Sequence, residues 1–280
     1  MTNLQEWQRR MHAQLASVSD QPAQEARWLM AQSLGLRPTE LLVNAHQVLS
    51  SDQEYALQKR LDERLRGVPL AYCLGEWSFY GLDLEVNAAV LIPRPDSELL
   101  IHLALAEAVP EHEMQILDLG TGSGALALAL AVARPQARVF AVEQSLEALA
   151  VARRNGERLG AKVVWLEGDW FAPLDPALRF DWIVSNPPYL ASADPHLPEL
   201  QHEPLAALVA GPSGLECLES IIQGAGKHLH PGGQIFLEHG WEQGAAVRKL
   251  LRTRDFQQVQ THADIAGRER VTTARSPNHA

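Results

Sequence analysis

The run Asn186-Pro187-Pro188-Tyr189 combines residue types that suit one task, the handling of a planar amino group. Two consecutive prolines fix φ and remove two backbone donors, so the segment presents carbonyl acceptors beside an Asn side chain and an aromatic face. The Asn186 side-chain oxygen and a proline carbonyl can each accept one N–H of an –NH₂ group, and Tyr189 can stack on or flank its plane. An amide nitrogen is a poor nucleophile because its lone pair is delocalised. Two acceptors on its hydrogens return electron density to nitrogen and aim the lone pair at an electrophile, which is proximity combined with electrostatic preorganisation. No strong base is needed first, since the nitrogen becomes acidic as it gains a substituent. The bland alternative is a loop with a Pro-Pro turn, and a nucleotide-type turn upstream weighs against it.

That upstream turn is Asp118-Leu119-Gly120-Thr121-Gly122-Ser123-Gly124, which follows an apolar stretch and opens a helical one. Glycines there let the backbone pass close to a ligand, and a helix N-terminus offers free N–H groups and partial positive charge. Gly120, Gly122 and Ala125 also satisfy the dinucleotide spacing. Glu143, at the end of the next strand, could bind ribose hydroxyls of either NAD or S-adenosylmethionine, so these residues leave the nucleotide open. Asp169 and Trp170 follow the third strand, where an acid can accept from an adenine amino group and an aromatic can pack on its ring; an ordinary loop acid beside a core Trp reads equally well.

The elements that would position these groups alternate. Gln115–Leu119, Arg138–Val142, Lys162–Leu166, Phe180–Ser185 and Gln234–Leu237 read as strands; Ala125–Ala133, Ser145–Leu159, Ser213–Leu229 and Trp241–Arg252 read as helices. Such alternation predicts a parallel sheet with helices on both faces, in which ligands sit at the carboxyl ends of strands. Residues 1–70 read instead as a small bundle of four short helices. Leu4, Trp7, Met11 and Leu15 mark the first, Glu25–Leu36 the second and Leu41–Leu49 the third; Ser51 with Glu54 forms a capping box for the fourth. This bundle is either a packing module or a substrate-docking domain. Residues 71–91, with aromatic and branched residues around Gly75 and Gly81, read as a β-hairpin linker, and 92–280 as the ligand-binding domain. Ser276–Ala280 read as a loose tail.

The chain has 280 residues, 46% apolar and 21% charged, with a formal net charge of −10. That charge disfavours nucleic acid as the main partner and tolerates a basic protein. Two distant cysteines, no signal-peptide pattern and no long apolar run point to the cytoplasm. His228 and His230 lack a carboxylate-partnered metal spacing, and no metal is expected.

The order and spacing of several segments resemble the class I methyltransferases of the N5-glutamine type, in particular those acting on peptide chain release factors. The segments are Gly75-Glu76-Trp77 with Phe79-Tyr80-Gly81, Leu91 to Glu98, Asp118 to Gly124, Gly168-Asp169-Trp170 and Ser185 to Tyr189. The resemblance covers nearly the whole chain. It implies an α/β fold, a Rossmann-like sheet of seven strands with the last antiparallel, preceded by an N-terminal helical domain and a hairpin linker. It implies S-adenosylmethionine as cofactor and, as substrate, the Gln of a Gly-Gly-Gln loop in class-1 release factors. By position it assigns Gly120, Thr121, Gly122, Ser123, Gly124, Glu143, Asp169 and Trp170 to the cofactor, Asn186 to cofactor and substrate together, and Asn186, Pro187, Pro188 and Tyr189 to the substrate clamp.

Three places depart from the family pattern. Residue 143 is Glu where Asp is also common, Gly211–Leu215 replaces an acidic Gly-rich stretch, and His239 stands where an apolar residue is usual. Gly232-Gly233-Gln234 repeats the substrate tripeptide, but it precedes an apolar strand and reads as a turn rather than a self-methylation site. A ribosomal-protein glutamine methyltransferase shares fold and clamp but lacks the pattern of residues 93–98. An adenine-N6 DNA methyltransferase would want a basic face and a target-reading domain. A nucleotide-dependent oxidoreductase leaves Asn186–Tyr189 idle. A non-catalytic cofactor-binding regulator would bind without turnover.

Overall fold

The computed structural model describes residues 2–107 and 113–277, so the last three residues of the expected tail lie outside it. The chain divides into two compact units, 1–76 and 77–280.

The first unit is helical: α1 (Leu4–Leu15), α2 (Pro22–Leu34), α3 (Pro38–Val43), α4 (Ser51–Leu65) and α5 (Leu70–Leu74). Leu4, Trp7, Met11 and Leu15 of α1, Leu29 and Met30 of α2, and Leu57 and Leu61 of α4 are all buried in one core. Full burial of one such side chain contributes about 1.5–3 kcal/mol. Several boundaries differ from the sequence reading. Helix α2 starts three residues early because Pro22 occupies the first turn, where a missing N–H costs nothing. Helix α3 likewise begins at Pro38, with the Glu40 side chain accepting from the Arg37 amide, and ends at Val43, capped by Asn44, instead of running to Leu49. The cap of α4 is one residue upstream of expectation: Ser50 Oγ accepts from the Gln53 amide at 3.2 Å while Gln53 returns the bond. Glu54 is engaged elsewhere, accepting from the Thr2 amide at 3.0 Å. Residues 71–74, read as hairpin, belong instead to α5 (Leu70–Leu74).

Strands β1 (Glu76–Phe79) and β2 (Leu82–Glu85) form a two-stranded ribbon. Their turn residues Tyr80 and Gly81 both have positive φ, as the right-handed twist of a two-residue hairpin demands.

The second unit continues with a 3₁₀ turn at Pro95–Ser97, α6 (Glu98–Ala106), β3 (Gln115–Leu119), α7 (Ala125–Ala133), β4 (Arg138–Glu143), α8 (Leu146–Leu159), β5 (Val163–Glu167) and β6 (Phe180–Ser185). Then come β7 (Leu190–Ala191), β8 (Val209–Gly211), α9 (Glu216–His228), β9 (Leu229–Glu238), α10 (Gly244–Thr253), β10 (Gln257–Ala263) and β11 (Glu269–Arg275). Seven strands form one sheet in the order β10-β11-β9-β6-β3-β4-β5. The pairs β9–β6, β6–β3, β3–β4 and β4–β5 are parallel. The last strand, β11, runs antiparallel to both its neighbours, as the resemblance implied.

Side chains alternate across this sheet. Ile116, Trp182, Val184 and Phe236 enter the core beneath α6 and α7. Leu117, Ile183, Ile235 and Leu237 enter the opposite core with α9 and α10. With both faces covered, the central strands are buried and mostly apolar, and the polar residues within them, such as Asp118 and Ser185, are hydrogen-bonded. Strand order reverses beside β3: the chain builds outward through β4 and β5, then returns to β6 on the other flank. Loops leaving β3 and β6 at their carboxyl ends therefore diverge and leave a crevice.

Candidate active site

The glycine turn leaves β3 at that crevice. Gly120, Gly122 and Gly124 have φ of 71°, 56° and 86°. The amides of Gly120 and Thr121 both donate to the Val142 carbonyl, pinning the turn to the end of β4. Asp118 is fully buried beneath it; its Oδ2 accepts from the Thr121 hydroxyl at 2.6 Å and the Ala127 amide at 3.2 Å. Burial pushes this carboxyl up to about 7, against those two hydrogen bonds. Glu143 holds the turn from the other side. Its Oε2 accepts from the Gly122 amide at 2.9 Å and its Oε1 from the Ser145 amide at 2.9 Å. The extra methylene of Glu over Asp thus reaches back into the glycine turn, while each oxygen keeps a second lone pair for a ligand hydroxyl.

A cleft of about 410 Å³ opens here. Its walls include Gly120, Thr121, Gly122, Ser123, Glu143, Asp169, Trp170, Asn186 and Pro188. Twelve positions were candidates from sequence, and these nine come together around one space. Gly124, Pro187 and Tyr189 are not part of that lining. Gly124 sits behind the turn, where an added Cβ would meet Leu128 and Trp165 at 3.0 and 3.1 Å. Tyr189 packs its ring against the core beneath α9, and burial pushes its hydroxyl well above the usual phenol range.

The cleft also has walls that the sequence reading missed. Ser97, Phe79, Val90 and Pro93 close one side and Pro204, Ala206 and Ala207 another. The two sides are fastened together by Glu203, a buried acid that accepts from the Ile92 amide at 3.1 Å and pairs with Arg94. The segment at Leu91–Glu98 was visible as a motif, and Ser97 and Pro93 could have been drawn from it. Pro204–Ala207 carries no signal, its residues 205–207 forming only a short 3₁₀ turn.

Asn186 stands where β6 ends. Its Nδ2 donates to Ser97 Oγ at 3.0 Å, while its Oδ1, turned away from bulk water, has no partner. A buried unmade acceptor costs about 1–3 kcal/mol, so it marks a place where a donor is missing. The site thus offers a side-chain-free glycine cradle, an acid with spare lone pairs, an indole ring and, at Asn186, a buried acceptor without a partner. A nucleoside with a small charged tail fits this donor and acceptor set, and so does a planar N–H group approaching Asn186.

Residues 97–202 match the family model of the methyltransferase small domain, and residues 6–75 match that of the PrmC N-terminal domain. Among solved structures, a methyltransferase from Pyrococcus furiosus shares the fold, with TM-score 0.55, 20% identity and coverage of 79% of this chain and 99% of that one. Fold and site together define an S-adenosylmethionine-dependent methyltransferase. The chain is 44% identical over 276 residues to the release factor glutamine methyltransferase of Burkholderia pseudomallei (strain K96243), covering 95% of this chain and 96% of the relative. It is 44% identical over 256 residues to that of Xylella fastidiosa (strain Temecula1), covering 90% and 93%. The chain belongs to the release factor glutamine methyltransferase family.

Proposed function

We propose that this protein methylates the N5 amide nitrogen of the glutamine in the Gly-Gly-Gln loop of class-1 peptide chain release factors. The observation that carries the reading is the free Oδ1 of Asn186, held at the cleft by Ser97 with its acceptor end unpaired. S-adenosylmethionine, when bound, supplies an electrophilic methyl group on sulfur. Gly120–Gly124 and Glu143 would hold its amino-acid and ribose portions, and Asp169 and Trp170 its adenine.

The chain's own residues then act on the substrate amide. Asn186 Oδ1 accepts one N–H and a carbonyl of Pro187 or Pro188 the other. Both acceptors become stronger partners as the nitrogen gains positive character, so they favour the transition state over the ground state. Apolar walls at Val90, Pro93, Pro204, Ala206 and Ala207 offer the substrate amide no competing hydrogen bonds. The proton released from nitrogen needs no strong base. The helical unit of residues 1–76 serves as the substrate-docking module, and the enzyme works in the cytoplasm; both cysteines are free thiols and, among the described residues, no helix is long and apolar enough to cross a membrane.

Incubation with methyl-labelled S-adenosylmethionine and a class-1 release factor tests the reading. Label should enter the wild-type factor and not its Gln→Ala variant in the Gly-Gly-Gln loop. Equal labelling of both, or label on neither while cofactor binds, rejects it.

A further inference from the structure

Glu238 closes strand β9, one step beyond the register pair Ser185–Leu237, and so lies beside the start of the Asn186-Pro187-Pro188-Tyr189 run on the neighbouring strand. It is 1% exposed and its Oε2 has no partner. A buried carboxyl is costly, and nothing in the chemistry above uses it. Its surroundings are specific. The Ser97 and Tyr189 hydroxyls hydrogen-bond toward it, Arg270 of β11 attracts it, and Asp96 of the Pro95–Ser97 turn repels it. Arg270 is itself shared with Asp96 at 3.3 Å and Asp264 at 3.2 Å, so the cation is not Glu238's alone. His239, the next residue, faces away toward Thr272 at 2.8 Å.

The hydroxyl of Ser97 links this carboxyl to Asn186. A serine has one proton to give and lone pairs to receive. Here Asn186 Nδ2 donates to Ser97 Oγ, which leaves the Ser97 proton available to the neighbouring buried carboxyl of Glu238. An amide has two ends of nearly equal size, and only one of them suits the reaction. With Oδ1 toward the substrate the amide accepts an N–H; turned over, it would present its own N–H groups and repel the substrate's. If Ser97 could spend its proton on Asn186 Oδ1, the wrong orientation would be stabilised. An acceptor-only group behind Ser97 removes that option.

We propose that Glu238 is a positioning residue: acting through Ser97, it fixes which end of the Asn186 amide faces the reacting nitrogen. The proposal rests on the amide-clamp reading above. It confers a pH dependence, because a protonated Glu238 can donate to Ser97 and free that hydroxyl to turn toward Asn186. Burial holds the carboxyl up to about 7, so its ionisation falls within a working range, with Arg270, Asp96 and Tyr189 as the groups that tune it.

Steady-state methylation of a class-1 release factor by the full chain tests this with Glu238→Gln, Ser97→Ala and Asn186→Ala. The glutamine can donate as well as accept, so it permits the reversed amide; Ser97→Ala removes the link while leaving a small side chain in the turn. Both should lower kcat by roughly tenfold or more, as small misplacements at a reacting centre do. Calorimetric affinity for S-adenosylmethionine should stay within about twofold, the glycine turn and Trp170 being untouched. The wild-type kcat should fall as pH drops through the Glu238 ionisation, and Glu238→Gln should lack that limb. Wild-type kcat in both variants overturns the proposal, as does an unchanged acid limb in Glu238→Gln. If Glu238→Gln does not fold, Ser97→Ala alone decides on kcat. An active Asn186→Ala rejects the clamp itself; an inactive Asn186→Ala beside fully active Ser97→Ala and Glu238→Gln rejects only the relay.

Discussion

Gly120→Ala and Gly122→Ala form a pair that separates backbone strain from loss of space. Both residues line the cleft and both have left-handed φ, 71° and 56°. A Cβ in that conformation costs roughly 1–2 kcal/mol at either site. The surroundings differ. At Gly120 the added carbon would lie 3.3 Å from Cζ3 and 3.7 Å from Cη2 of Trp170; at Gly122 nothing lies within 4 Å. Trp170 is poorly able to retreat, because its ring packs against the core beside the sheet. Its ring must shift within the cleft it walls. Both variants should therefore melt earlier than wild type by similar amounts, while Gly120→Ala loses cofactor affinity by roughly a further tenfold, about 1.4 kcal/mol. Calorimetric titration with S-adenosylmethionine, beside thermal unfolding, reads both quantities. Adding Trp170→Leu should erase the difference between the two alanine variants. Equal affinities in Gly120→Ala and Gly122→Ala would refute the reasoning, since the Trp170 contact would then count for nothing.

Asn186→Ala should lower kcat by about 10²–10³-fold, the usual loss for one preorganised partner of a developing charge, with an unchanged circular dichroism spectrum; near-wild-type turnover rejects the clamp. Glu143→Ala should weaken S-adenosylmethionine binding by roughly 1–3 kcal/mol, because it removes the proposed ribose acceptor and also frees the Gly122 and Ser145 amides; unchanged affinity by calorimetry counts against both roles. Asp118 gives a pH effect of known sign. Burial raises its folded-state value from 3.8 to about 7, so the folded chain holds the proton more tightly than the unfolded one. Its contribution is most favourable below the lower value and is lost as pH rises toward the upper one, by about 1.4 kcal/mol for each pH unit crossed between them. Asp118→Asn cannot ionise, and its stability relative to wild type in chemical denaturation should increase across that window. A constant difference would show that Asp118 does not titrate there.

The central strands were legible because both faces of the sheet are covered, which makes Gln115–Leu119 and Phe180–Ser185 mostly apolar, and their bounds are those expected. The glycine turn and the Asn-Pro-Pro run stood out as candidates because they rest on residue type at fixed spacing within a few positions, and the fold brings Gly120, Gly122, Asn186 and Pro188 to one cleft. Helix caps were less so. Ser50 and Ser51 both precede acceptable partners, and the choice was settled by Thr2, which engages Glu54 from far away in the chain. Helix α3 ends at Val43, capped by Asn44, although Val48 and Leu49 lie at helical reach; Val48 bridges to Asn3 instead. Tyr189 reads as a substrate-facing ring from its motif, yet its ring packs in the core and its hydroxyl addresses Glu238. Ser97 and Glu238 are distant in sequence and meet only through the sheet, so no local pattern links them to Asn186.

Fragmentation mass spectrometry of a class-1 release factor after incubation with the enzyme and S-adenosylmethionine tests the central claim most directly. A single added methyl group, borne by the side-chain nitrogen of the glutamine in the Gly-Gly-Gln loop and absent when Asn186→Ala replaces the wild-type enzyme, is the predicted result. Methylation at any other residue, or at that glutamine with the Asn186→Ala enzyme at undiminished rate, would contradict the account.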